Sequence, residues 1–161
     1  MVDGLVFALT LFAALGCGLI AGIFFAFSAF AMKGLSRLPP AQGIAAMQSI
    51  NVAVLNRWFL APFFGTAVAC LLLIVFAPWG WREPGAIYRL GGSLLYLIGT
   101  MLVTIACNVP RNDALAAVDP ASADGAARWA EFVSGWTFWN SVRTVAALAA
   151  AATLTIALVA A

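Results

Sequence analysis

Trp136-Thr137-Phe138-Trp139-Asn140-Ser141-Val142-Arg143-Thr144 heads the last apolar segment of the chain. On a helix, Trp136, Asn140, Arg143 and Thr144 fall at i, i+4, i+7 and i+8 and share one face. Only Ala, Val, Leu, Ile and Thr follow them. An arginine and an asparagine at the mouth of such a helix require partners, because an unpaired polar group in a low-dielectric setting is costly. The stretch therefore predicts a membrane helix whose polar head meets other polar groups.

The rest of the chain fits a membrane protein. Of 161 residues, 65% are hydrophobic and 9% charged, and the mean hydropathy is +1.04; a soluble domain carries about 25% charged residues. The length accommodates four spans, at about 5–32, 58–77, 90–107 and 137–160, within a single membrane domain over residues 1–161. The expected fold class is all-α: an integral membrane four-helix bundle with short interfacial helices in loops one and three. A net charge of +2 gives no electrostatic support for nucleic-acid binding. There is no histidine, so the commonest ligand for zinc, copper and haem iron is missing. No metal site is expected, although carboxylate or thiolate ligation stays open. Cys17, Cys70 and Cys107 each lie in an apolar run and read as small buried residues, not disulfide partners. Asp3 and the long first apolar run argue against a cleaved signal peptide.

Segment one carries Ala14, Gly18, Gly22 and Ala26 at four-residue spacing. Small residues in one stripe allow close helix approach in lipid. The Gly18/Gly22 face serves either a homo-oligomer or packing within the bundle, and the second is preferred. After Pro39-Pro40, residues 41–51 read as a short amphipathic helix. Pro62 should kink or loosen segment two. Pro78-Trp79-Gly80-Trp81 reads as a turn with two interfacial tryptophans, and Gly91, Gly92 and Gly99 as close-packing positions of segment three. Trp129, Phe132, Val133 and Trp136 lie at i, i+3, i+4 and i+7; this helix either rests on the membrane or runs continuously into segment four. Loops one and three, with their helix ends, hold Lys33, Arg37, Arg57, Arg111, Arg128 and Arg143, against Arg82 and Arg89 on the other side. The positive-inside rule then puts both termini outside.

The same topology gathers Asn51, Asn56, Arg57, Asn108, Arg111, Asn112, Asn140 and Arg143 at one end of the bundle. Amides both donate and accept, and a guanidinium offers five donors in a fixed fork. With Trp136 and Trp139 as flat walls, these residues suit a pocket for a planar, oxygen-bearing aromatic molecule. Each residue taken singly also has a plain structural role, as an interfacial anchor or a helix cap.

Five stretches carry a resemblance: Gly22-Ile-Phe-Phe-Ala-Phe-Ser28, Gly43-Ile-Ala-Ala-Met-Gln-Ser-Ile-Asn51, Phe63-Phe-Gly-Thr66, Asn108-Val-Pro-Arg-Asn112 and Trp136 through Arg143. In this order the chain resembles the small four-span membrane proteins related to fungal anthrone oxygenase. The resemblance implies a four-helix membrane bundle, in bacteria a protein of the cytoplasmic membrane. It further implies oxygenation of an anthrone to an anthraquinone with no metal or flavin cofactor. In that reading Arg143 and Asn140 polarise the substrate oxygen. Asn108, Arg111, Asn112, Asn51 and Asn56 line and orient, and Trp136 and Trp139 stack on the rings. The expected partners are membrane lipid and a lipophilic aromatic or quinone ligand. The family pattern implies a histidine after Trp139-Asn140, where this chain has Ser141. Asp113, Glu131 or Cys107 would have to replace it as base. A non-catalytic protein binding a lipid, a quinone-like ligand or a partner subunit is the alternative. A transporter is disfavoured, since no charge lies in mid-span and no discontinuous helix pair is evident.

Overall fold

The computed structural model describes residues 2–77 and 82–160, so the expected Pro78–Trp81 turn lies outside the described residues. Four helices are long and apolar enough to cross a membrane: α1 (Gly4–Leu35), α3 (Arg57–Phe76), α4 (Ala86–Ala116) and α5 (Gly125–Val159). A fifth, α2 (Pro40–Ala53), occupies loop one. Among the described residues there is no strand. The protein is an all-α integral membrane bundle.

The helices form a ring. α5 packs along α1 and α4, and α3 packs on the same two from the opposite side. Two clusters fill the interior. One lies between the spans and includes Ile20, Phe24, Phe63, Cys70, Tyr96 and Leu154. The other lies under α2 and joins Met32, Ile44, Met47, Leu115, Trp129, Phe132 and Trp136. Cys17 and Cys70 are buried, and all three cysteines are free thiols.

α2 is docked, not adrift at the interface. Ile44 and Met47 are fully buried, each contributing about 1.5–3 kcal/mol relative to exposure. Gly43 presses on the indole of Trp129; a Cβ there would stand 2.7 Å from the ring. Gln48 Nε2 donates to the carbonyls of Leu115 and Val118, at 2.9 and 3.0 Å, at the end of α4.

The amphipathic stretch of loop three is the first part of α5. It forms no separate helix, and of the two continuations expected it takes the continuous one. Its aromatic face turns inward beneath α2. Trp129 stacks on Phe132 at 5.7 Å and Phe132 on Trp136 at 6.2 Å. α3 runs unbroken through Pro62. The Thr66 hydroxyl donates to the Pro62 carbonyl and the Tyr96 hydroxyl to that of Phe63, bracing the turn that follows the proline.

Small residues work differently from expectation in α1. Gly18 and Gly22 point outward with no atom near a Cβ position, so packing within the bundle does not account for them. Gly16 makes the close approach instead: a Cβ there would meet Thr66 Oγ1 at 2.0 Å. In α4, Gly92 and Gly99 are tight against Leu154 and Ala146, while Gly91 only touches Thr153. Gly16→Ala is therefore expected to destabilise by about 1–3 kcal/mol through overpacking. Gly18→Ala should leave the protein as stable or slightly more so. Thermal unfolding in detergent compares the two; equal melting points would contradict this packing.

Candidate functional site

Three π-helical turns interrupt the spans, at Phe27–Ala31 in α1 and at Leu97–Leu102 and Thr104–Asn108 in α4. Such turns recur near functional sites because they widen a helix and re-aim its side chains. Here they adjoin a cavity of about 260 Å³ at the α2 end of the bundle. This lies just under the ~300–1,000 Å³ of drug-sized ligand sites. Its walls come from all five helices and are mostly apolar, including Phe24, Phe27, Phe63 and Trp136. The polar lining is Asn51, Thr104, Asn108, Asn112 and Arg143.

Arg143 sits at the centre of this chemistry and is 4% exposed. Its Nη1 donates to Thr104 Oγ1 at 3.1 Å and its Nη2 to Asn140 Oδ1 at 2.8 Å. The guanidinium lies 4.1 Å from the Phe24 ring centroid and 5.5 Å from that of Trp136. Its Nε has no hydrogen-bond partner among the described residues. The salt bridges among those residues are Arg89–Glu83 and Arg128–Asp124, so no carboxylate balances Arg143. A buried cation supported only by neutral groups and ring faces is poised for an anion or a strong acceptor.

Asn140 stands behind Arg143, outside the cavity lining. Fully buried, it donates from Nδ2 to the Phe24 carbonyl and to Ser28 Oγ, both at 2.7 Å. Its Oδ1 fixes Arg143. Ser141 Oγ donates to the Thr137 carbonyl, so the Ser28 hydroxyl must donate to Ser141, 2.9 Å away. The position where the family pattern implies histidine therefore faces α1 across Ser28 and not the cavity.

Asn108 and Asn112 come from the π-turn of α4 and the helix after it. Asn108 Nδ2 donates to the Trp136 carbonyl at 3.2 Å, which leaves its buried Oδ1 without a partner among the described residues. Asn112 Oδ1 accepts from Trp136 Nε1 at 2.8 Å and holds the indole as a wall. Asn51 reaches in from α2 with a buried, unpartnered Nδ2. Three orphan atoms thus border one hollow: donors on Arg143 and Asn51 and an acceptor on Asn108. A buried unpaired group costs about 1–3 kcal/mol, so the arrangement favours a ligand with both a carbonyl-type oxygen and a hydroxyl.

Other expected residues lie elsewhere. Asn56 caps α3, accepting from the backbone N–H of Trp58 and Phe59, and is exposed. Asn56→Ala should cost about 1 kcal/mol of stability and leave cavity binding unchanged; a binding defect measured in the folded variant would return Asn56 to the site. Arg111 donates to the Cys107 carbonyl at 2.6 Å and packs over Gly135, facing away from the cavity. Trp139 meets Phe138 edge to face and does not line the cavity. Arg57 is exposed and sits 5.0 Å over Trp58. Sequence reasoning did not single out Thr104, Phe24 or Ser28. A threonine within an apolar span was the available signal for the first; Phe24 and Ser28 both lie in Gly22–Ser28, one of the stretches that carry the family resemblance.

The family model for anthrone oxygenase matches residues 55–153, more than half of the chain. The chain belongs to the anthrone oxygenase family. Neither a curated protein nor a solved structure matches it. The matched part carries Thr104, Asn108, Asn112, Trp136 and Arg143, whereas Phe24, Phe27 and Asn51 complete the cavity from α1 and α2 outside it. Among the described residues no three Cys, Asp or Glu cluster where they could hold a metal ion.

Proposed function

We propose that the cavity binds a flat polycyclic phenol or anthrone and that the protein oxidises it to a quinone as an anthrone oxygenase-like enzyme. One observation carries this reading: Arg143 is buried without a counter-charge and lines an apolar hollow. In an anthrone, the methylene between two rings loses a proton to give an enolate, whose negative oxygen would sit against Arg143. O2 adds at that carbon. One oxygen atom is retained as the new carbonyl and the other leaves as water with the two methylene hydrogens. Among the described residues no carboxylate or thiol lines the cavity, so the chain supplies oxyanion stabilisation and ring alignment while solvent base takes the proton. Asn140 positions Arg143, Asn51 and Asn108 orient ligand oxygens, and Trp136 stacks.

The cavity end is assigned to the cytoplasmic side. Lys33, Arg37, Arg57, Arg111 and Arg128 support this even with the buried Arg143 discounted, against Arg82 and the ion-paired Arg89. A second reading rests on the absence of a base in the lining and on the turn of Ser141 towards Ser28. It makes the protein a non-catalytic binder of a quinone-like ligand or lipid, or of a partner subunit. Purified protein in lipid nanodiscs separates the two. Anthraquinone formation above the autoxidation rate supports the enzyme. Tight hydroxyanthraquinone binding at the autoxidation rate supports the binder. Neither activity nor binding of any anthrone or quinone would dispose of both ligand readings.

A further inference from the structure

We propose that the cavity is entered sideways, from the hydrocarbon interior of the bilayer, and is closed towards water against molecules of ligand size. The proposal rests on reading the cavity as a binding site. It names the source of the ligand: a flat, uncharged molecule dissolved in lipid.

The water-side roof is pinned. α2 lies across the end of the bundle, against α4 and α5. Gln48 ties it to the end of α4 through two carbonyls, Gly43 seats it on Trp129, and Met47 and Ile44 are fully buried beneath it. Met47 faces the hollow from that roof.

The flank is different. α3 packs on α4 through residues 86–102, but no comparable packing joins it to 104–116. The cavity lies at this divergence. Leu55 and Phe64 on one edge and Ile105 and Val109 on the other line the cavity and are also between 41% and 68% exposed on the outer surface. All four are apolar; Phe64, Ile105 and Val109 lie on the membrane-spanning helices, and Leu55 lies in the turn between α2 and α3. A mouth edged this way excludes charged solutes and passes apolar ones, as lipid-facing surface does. Arg143 waits at the inner end, so a ligand meets the charge only after leaving the hydrocarbon phase.

The test uses a thiol on the roof. Met47→Cys in a Cys107→Ser background leaves only Cys17 and Cys70, both buried. Ile50→Cys is the second probe position should the first variant not fold. In phosphatidylcholine vesicles, an uncharged alkyl maleimide should label this thiol while a sulfonated, membrane-impermeant maleimide present on both sides should not. Narrowing the mouth with Ile105→Trp or Phe64→Trp, both at lipid-facing positions, should slow labelling at least tenfold. Labelling by the charged reagent at a matching rate, no labelling by the uncharged one, or indifference to both tryptophan variants would each overturn the proposal. The readout needs no ligand, so failure of the anthrone reading and failure of the lateral mouth are separate results.

Discussion

Arg143→Ala is expected to weaken binding of a hydroxyanthraquinone by on the order of 10- to 150-fold in nanodiscs. A hydrogen bond from a charged group contributes about 1.5–3 kcal/mol, and each 1.4 kcal/mol is about tenfold. Arg143→Lys should not rescue. An ammonium is a point charge and cannot span Thr104 Oγ1, Asn140 Oδ1 and a ligand oxygen together, as the fork does. The folded state should survive either change. The guanidinium has no counter-ion, so its removal also relieves the cost of a buried charge. Isothermal calorimetry on variants with unchanged melting temperature checks this. Affinity within threefold of the parent chain would mean that the cation serves the bundle and not a ligand.

The second large effect is on stability. Asn140→Ala should destabilise by about 2–4 kcal/mol, read by denaturant titration in detergent micelles. Hydrogen bonds between membrane helices average only about 0.6 kcal/mol each, and three of them alone would fall below this range. The larger figure comes from what is left behind: the Ser28 hydroxyl without its donor, and Arg143 without one of its two acceptors. The pair should therefore be strongly non-additive. Asn140→Ala with Arg143→Ala is expected to be more stable than the sum of the single losses by about 1–3 kcal/mol, because the stranded cation is gone. Strict additivity would show that Asn140 does not act by holding Arg143, and would leave its role to the contact with α1.

The membrane class and the number of spans were legible from composition and uncharged runs, since those follow from burial in lipid alone. The convergence of Asn108, Asn112, Asn140 and Arg143 was also within reach, because span order and loop sides place all four at one end. Side-chain direction was not. Arg111 lies one position from Asn112 yet faces the other way, over Gly135. Its aim depends on two π-turns that no residue pattern announces. Asn56 was indistinguishable from a ligand-binding amide until the start of α3 was fixed, when its capping bonds became obligatory. Gly18 and Gly22 had the textual signature of a helix crossing, while Gly16, with no such spacing, makes the crossing with Thr66. Which stripe faces inward is set by neighbouring helices, and one helix's sequence does not contain it.

The π-turns of α4 also bear on its rotational phase. Each spreads its hydrogen bonds over one more residue than an α turn does. A one-residue deletion within Thr104–Asn108 would close as regular α-helix and leave everything after it in nearly the same phase, whereas a one-residue deletion in the regular turns beside it would swing everything after it by about 100°. After such a swing Asn112 would leave the Trp136 indole it now holds at 2.8 Å, and Gln48 would lose the two carbonyls that anchor loop one. The irregular turns thus absorb an extra residue while two ends of one long helix stay in step with different neighbours, and length changes in the regular turns carry consequences that substitutions at the same positions do not.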